Sequence, residues 1–322
     1  VRRGVLQGRV NPIMRKEGHM HHLPRRKPIR NLDLYLMLIP VVLYFLVFWL
    51  WPLYGIQIAF REFSPVKGFF GSPWVGLKHF ERFFRSYYFN RTLINTLGIN
   101  LYGLLAGFPL SIVLALMFNE LAGRRFREFA QVVSYAPSFL SVMVVSGMLI
   151  NFLSPSTGFI NAIISALGGD VVDFLGTPGL FWHVMVWSNI WQGVGFGTVM
   201  YTAAITAIPP TYYEAARIDG AGILRRIWHI TLPSITHIIV VLLILSLGNL
   251  FTLGFEKVLM LQNPLNLEAS EVISTYTYKA GLVEGRYSYT TAIGLFNTSL
   301  NLTVLLAANH LSKKIRGVSL WG

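Results

Sequence analysis

Six long apolar runs constrain this chain more than any other feature. A helix needs about 20 mostly apolar residues to cross the hydrocarbon core of a bilayer. The runs are roughly Leu34 to Phe60, Leu93 to Phe118, Phe129 to Leu153, Leu180 to Ile208, Ile235 to Phe255 and Ala292 to Leu311. Charges are nearly absent from their interiors, as the cost of placing charge in lipid requires. Pro40, Pro52, Pro109 and Pro137 fall in or near the runs, where neighbouring helices can re-satisfy the backbone. The first run is far longer than the apolar core of a signal peptide, so it reads as a retained helix. Composition agrees: 53% of residues are hydrophobic and 13% charged, about half the charged share of a soluble domain. The pattern implies an all-α integral membrane protein with six transmembrane helices.

The net charge of +13 would suggest nucleic acid in a soluble protein. Here the basic residues lie between apolar runs, so membrane lipid is the expected surroundings and no nucleic-acid partner is expected. Their distribution sets orientation. The lead, the second-to-third and fourth-to-fifth loops and the tail carry 18 Lys and Arg, and the other side carries 9. That bias places both termini in the cytoplasm. The expected division is a basic cytoplasmic lead over 1–32, a membrane domain over 33–311 and a cytoplasmic tail over 312–322. The first outer loop contains the aromatic and basic stretch Lys78 to Arg85, read as an amphipathic helix at the membrane interface.

Catalytic signatures are missing. With no cysteine there is no disulfide, thiolate metal site or cysteine nucleophile. The chain has no G-x-x-x-x-G-K-[ST], H-E-x-x-H or G-x-S-x-G motif. His19, His21 and His22 cluster in the lead without a carboxylate or partner motif, so no metal is expected. Gly193, Gly195 and Gly197 lie inside an apolar run, where small residues permit close helix packing.

One inner loop, 209–233, is distinctive. Pro209-Pro210-Thr-Tyr-Tyr leads into E-A-A-R-I-D-G-A from Glu214 to Ala221, then Gly222, Arg225, Arg226 and finally Ile230-Thr-Leu-Pro233. Two short helical pieces are expected to flank Asp219-Gly220, where glycine permits backbone angles that other residues avoid. Asp219 is read as a cap for the second piece. Ala215, Ala216 and Ala221 keep the surface thin enough for another protein to approach. Pro233 is read as the entry to the fifth membrane helix.

E-A-A-x-x-x-G followed by I-x-L-P resembles the loop that defines permease subunits of bacterial ABC importers. The resemblance covers roughly Asn31 to the end, with Ile227 and His237 standing where the family often has phenylalanine and proline. The segments Leu259 to Pro264, Ser270 to Tyr276, Tyr287 to Gly294 and the tail to Trp321 are similar to the branch handling oligosaccharides and polysaccharides, and within it to alginate importers. The resemblance implies a type I permease fold in a bacterial inner membrane, multi-pass. It also implies a second permease, a dimer of ATP-binding cassette subunits and an extracytoplasmic solute-binding protein as partners, with a saccharide as substrate. ATP and magnesium would belong to the partner ATPase, and this chain would bind no cofactor and be no enzyme. Glu214, Ala215, Ala216, Asp219 and Gly220, with Ala221 and Gly222, would form the docking core for the ATPase.

Sugar sites combine aromatic faces with amide and hydroxyl partners. Trp187, Asn189 and Gln192 in the fourth run, Asn249 and Thr252 near the end of the fifth, and Asn297 and Asn301 in the sixth are the candidate pathway residues. Asn189 and Gln192, three apart, share a helical face. Each amide either lines a cavity or bridges helices, and the tryptophans also suit an interfacial belt. The alternative is an autonomous secondary transporter or channel, which needs titratable groups at mid-membrane; the runs hold almost none.

Overall fold

The computed structural model describes residues 32–321 and is helical, with one isolated bridge between Arg61 and Trp74 and no strand among the described residues. The basic lead, with His19, His21 and His22, lies outside the described residues except for Leu32. The described residues divide into two compact units at Gly55/Ile56. In the first, helix α1 (Leu32–Phe45) runs into a π turn (Leu46–Leu50) and a short helical piece (Trp51–Leu53).

In the second unit, α2 (Lys78–Phe84) precedes the long α3 (Tyr88–Glu120). Next come α4 (Arg124–Tyr135), α5 (Val142–Phe152) and α6 (Phe159–Ala166). The 29-residue α7 (Pro178–Thr206) leads to α8 (Pro210–Ile218) and α9 (Ile223–Leu247). The chain closes with α10 (Phe255–Leu261), α11 (Ile273–Tyr278) and α12 (Tyr287–Arg316).

Four of the six runs form helices long and apolar enough to cross a membrane. The third run supplies a fifth if α4 and α5, bent by 94°, count as one span. The bend has a local cause: Pro137 cannot donate a helical hydrogen bond, the chain tightens to a 3-10 turn over Ala136–Phe139, and Ser141 restarts the helix by accepting from the Val144 amide. The fourth run forms α7, which is long enough, but its Trp, Asn, Gln and Gly make it less apolar than the four.

The fifth run is shifted. Its helix begins at Ile223 and ends at Leu247, followed by turn over 248–251 and irregular chain to 254. Pro233 therefore does not mark the helix entry; it lies in the first turn after a π turn (Ile227–Thr231) inside a continuous helix. Proline lacks the N–H for a helical bond and crowds the carbonyl four residues back, and the wider π turn absorbs both. Pro52 follows the π turn of the first unit in the same way. The Lys78–Arg85 stretch is helical as expected, over Lys78–Phe84, with His79 and Phe83 buried against the protein and its charged residues exposed.

α3 and α7 run parallel along their length. A Cβ at Gly107 would sit 3.2 Å from Ile190, and one at Gly197 would sit 2.9 Å from the Ser111 hydroxyl. At Gly195 an added Cβ would run into the Ser134 carbonyl of α4. Gly195 and Gly197 of α7 thus serve helix approach, whereas Gly193 faces open space. Three buried clusters hold the unit together. One joins Ala115 of α3, Tyr201 and Ile205 of α7 and Ile235 of α9. A second joins Ile99, Met185 and Val186 to Val258 and Leu261 of α10. The third gathers Phe83, Ile273, Ala280, Tyr289 and Ile293, with Phe89 and Leu93 of α3 against it. Large apolar residues such as Leu105, Met117 and Leu302 stay exposed, as on helices whose outer face meets lipid.

Candidate functional site

Two features stand out: an exposed helical hook at one end of the helices and a polar cavity among them. The hook is α8 with the turn that follows. Pro209 and Pro210 start it, proline being favoured at a first helical position. It ends in a Schellman arrangement: the Gly220 amide donates to the Arg217 carbonyl at 3.0 Å and the Ala221 amide to the Ala216 carbonyl at 2.8 Å. That geometry places Gly220 at φ +75°, a region costly for residues with a Cβ. Asp219 is the residue that closes α8; it does not cap the second piece, whose N-cap is Gly222 with no side-chain bond. The cap assignment fails because the two residues Gly220 and Ala221 carry the chain away before helix resumes.

Glu214, Ala215, Asp219, Gly220 and Gly222 are exposed, while Ala216 and Ala221 are half-buried. Apolar Ile218 and Leu224 project beside them, 87% and 73% exposed. Glu214 makes no ion pair among the described residues. The hook is nonetheless anchored. Tyr213 and Thr231 share a hydroxyl hydrogen bond of 3.0 Å, tying α8 to the start of α9. Arg226 donates to Glu120 at 3.3 Å, tying α9 to the end of α3. That pair is largely buried, so losing one partner would strand the other charge.

The cavity, about 360 Å³, is walled by α3, α7, the end of α9 and the turn after it. Its polar lining is Asn100, Ser111, Asn189, Ser246, Asn249 and Thr252. The candidates Asn189, Asn249 and Thr252 therefore come together, and Asn301 of α12, itself outside the lining, is bonded to the turn that closes it. Its amide nitrogen donates to the Thr252 hydroxyl at 2.8 Å, and its oxygen accepts from the Phe251 amide at 2.9 Å. Three other candidates do not line this cavity. Gln192 donates to the Leu140 carbonyl, bridging α7 to the bend between α4 and α5. Trp187 donates to the Tyr102 hydroxyl and faces an apolar groove with Trp191 and Phe152. Asn297 lies elsewhere on α12, its buried oxygen unpartnered.

Sequence reasoning missed Asn100, Ser111 and Ser246, although Asn100 sits inside an apolar run and meets the same polar-in-membrane criterion. It also missed Lys257, counted among loop residues. Lys257 is buried on α10 and donates to Asn189 at 2.8 Å. Burial pushes its ammonium down to about 8, so it remains mostly charged at neutral pH. No spacing signal links two residues 68 apart.

The family model for binding-protein-dependent transport system inner membrane components matches residues 107–317, which include the hook and much of the cavity wall. The chain is 44% identical over 288 residues to the polygalacturonan/rhamnogalacturonan transport system permease protein YteP of Bacillus subtilis (strain 168), covering 89% of this chain and 90% of that protein. It is similar to a chain in a crystal structure of a bacterial ABC transporter involved in import of the acidic polysaccharide alginate, with TM-score 0.83, 42% identity and 89% and 97% of the two chains covered. A second structure, of a bacterial alginate ABC transporter in complex with alginate pentasaccharide-bound periplasmic protein, matches with TM-score 0.84 and 40% identity, covering 91% and 98%.

Proposed function

The chain belongs to the family of binding-protein-dependent transport system inner membrane components, and on that premise we propose that it is a permease subunit of an ATP-driven importer, forming half of the pathway for an oligosaccharide or polysaccharide such as alginate. Its likeness to a polygalacturonan/rhamnogalacturonan permease and to an alginate importer supports an acidic polymer. Six spans in an inner membrane, with both termini in the cytoplasm, complete the reading. A second permease would form the other half, two ATPase subunits would sit beneath, and a solute-binding protein would deliver the saccharide outside. ATP and magnesium would be held by the ATPases.

One observation carries the coupling role. The hook, α8 and its turn, is exposed, yet bonded to α9 through Tyr213–Thr231, and α9 is bonded to α3 through Arg226–Glu120; those two helices wall the polar cavity. ATPase closure pushes α8; the Tyr213–Thr231 and Arg226–Glu120 contacts pass the displacement to α9 and α3; the cavity changes its opening. Two global states with different contacts suffice for this. Glu214, exposed and without an ion pair among the described residues, would meet a basic ATPase side chain.

The test is reconstitution with the ATPase, partner permease and binding protein, measuring saccharide-stimulated ATP turnover and ATPase co-purification. Glu214→Ala is expected to weaken association more than tenfold, since an unpaired buried partner charge costs about 2 kcal/mol or more. Wild-type protein that neither retains an ATPase nor responds to saccharide would overturn the reading.

A further inference from the structure

We propose that Lys257 is a positioning residue that makes the cavity selective for a carboxylate-bearing sugar unit, by holding Asn189 with its amide nitrogen toward the cavity. The inference rests on the importer reading and deepens it. Lys257 is 6% exposed, and no carboxylate pairs with it among the described residues. A buried cation without a counter-charge is costly, yet this chain keeps one directly behind a cavity-lining amide.

The chemistry of that contact is directional. An ammonium only donates, so the amide end it holds is the oxygen, and the distance of 2.8 Å to Asn189 Oδ1 is that of a good hydrogen bond. Asn189 is exposed into the cavity, and its Nδ2 is the end left to face it. The neighbouring amides are turned the other way. Asn100 Nδ2 donates to the Leu250 carbonyl, and Asn249 Nδ2 donates to the Leu245 carbonyl. Their oxygens are the ends left for the cavity.

The lining therefore offers acceptors at Asn100 and Asn249 and a donor backed by positive charge at Asn189. A uronate ring has the matching groups: hydroxyls that donate and a carboxylate that accepts. A neutral hexose satisfies the acceptors but leaves the buried charge without a counter-ion. Lys257 is not itself in the lining; it acts through Asn189 and by its field, which is strong where the dielectric is low.

The test uses the complete importer in vesicles, with an oligogalacturonide and its uncharged methyl ester of equal length as probes. The same binding protein serves every variant, so its own preference cancels between them. Lys257→Gln is expected to lower the ratio of uronide to ester uptake about tenfold, and Lys257→Arg to keep it near wild type. Asn189→Asp pairs the lysine and turns an acceptor to the cavity, so it should lower the ratio as well. If Lys257→Gln does not assemble, the contrast between Lys257→Arg and Asn189→Asp decides alone. A ratio unchanged in the assembled Gln variant, or in Asn189→Asp, overturns the proposal and leaves the importer reading standing. Equal loss of both probes assigns Lys257 a structural role and overturns it too. Wild type that answers neither saccharide with ATP turnover overturns both readings.

Discussion

Gly220 shows how one residue can set the shape of the exposed hook. Its φ of +75° costs an L side chain about 1–2 kcal/mol, while an added Cβ would meet nothing within 4 Å. The penalty is thus purely conformational, and substitutions should rank by how well they tolerate the left-handed region. Gly220→Val is expected to lower ATPase co-purification about tenfold, the equivalent of that strain. Gly220→Asn should lose little, because asparagine visits this region readily. Equal losses in the two variants, measured by pull-down of the ATPase, would show that backbone conformation is not what the glycine supplies.

Helix α7 carries two glycines of opposite meaning two residues apart. Gly195 abuts the Ser134 backbone carbonyl, and Gly193 opens on the cavity with nothing within 4 Å. Backbone cannot move aside as a flexible side chain can, so Gly195→Ala should destabilise by about 1–3 kcal/mol, the usual cost of overpacking. Gly193→Ala should unfold at the wild-type temperature or slightly above, since alanine favours helix. Thermal unfolding of the purified variants reads the difference; matching midpoints would mean that α4 and α7 do not pack this closely.

At the scale of the whole molecule the direction of the helices matters. α3 and α12 both begin at the Phe83 cluster, where Phe89 and Leu93 meet Tyr289 and Ile293. α7 runs parallel to α3, so the 154–178 segment before it belongs to that same end, and the hook to the other. The chain has no cysteine, so single probes are clean. Ser156→Cys and Lys314→Cys, both at exposed positions, are expected to label from opposite sides of sealed vesicles. Labelling from one side would refute six spans with cytoplasmic termini.

What the amino-acid order determined by itself is local or statistical. Apolar length specifies helices because lipid leaves the backbone no other partner. The hook is legible because its proline, alanine and glycine positions act within about two helical turns. Its exact cap was not: Asp219 reads as the cap until the chain direction through Gly220 is known, and the structure gives that place to Gly222. Tertiary structure alone decided the cavity. Asn189 and Gln192 are separated by about 60° around the helix, enough for one to face open space and the other the Leu140 carbonyl. Which amide end faces the cavity depends on Lys257 and on the Leu245 and Leu250 carbonyls. Such contacts join residues far apart in sequence, and helix periodicity carries no information about what lies across the gap.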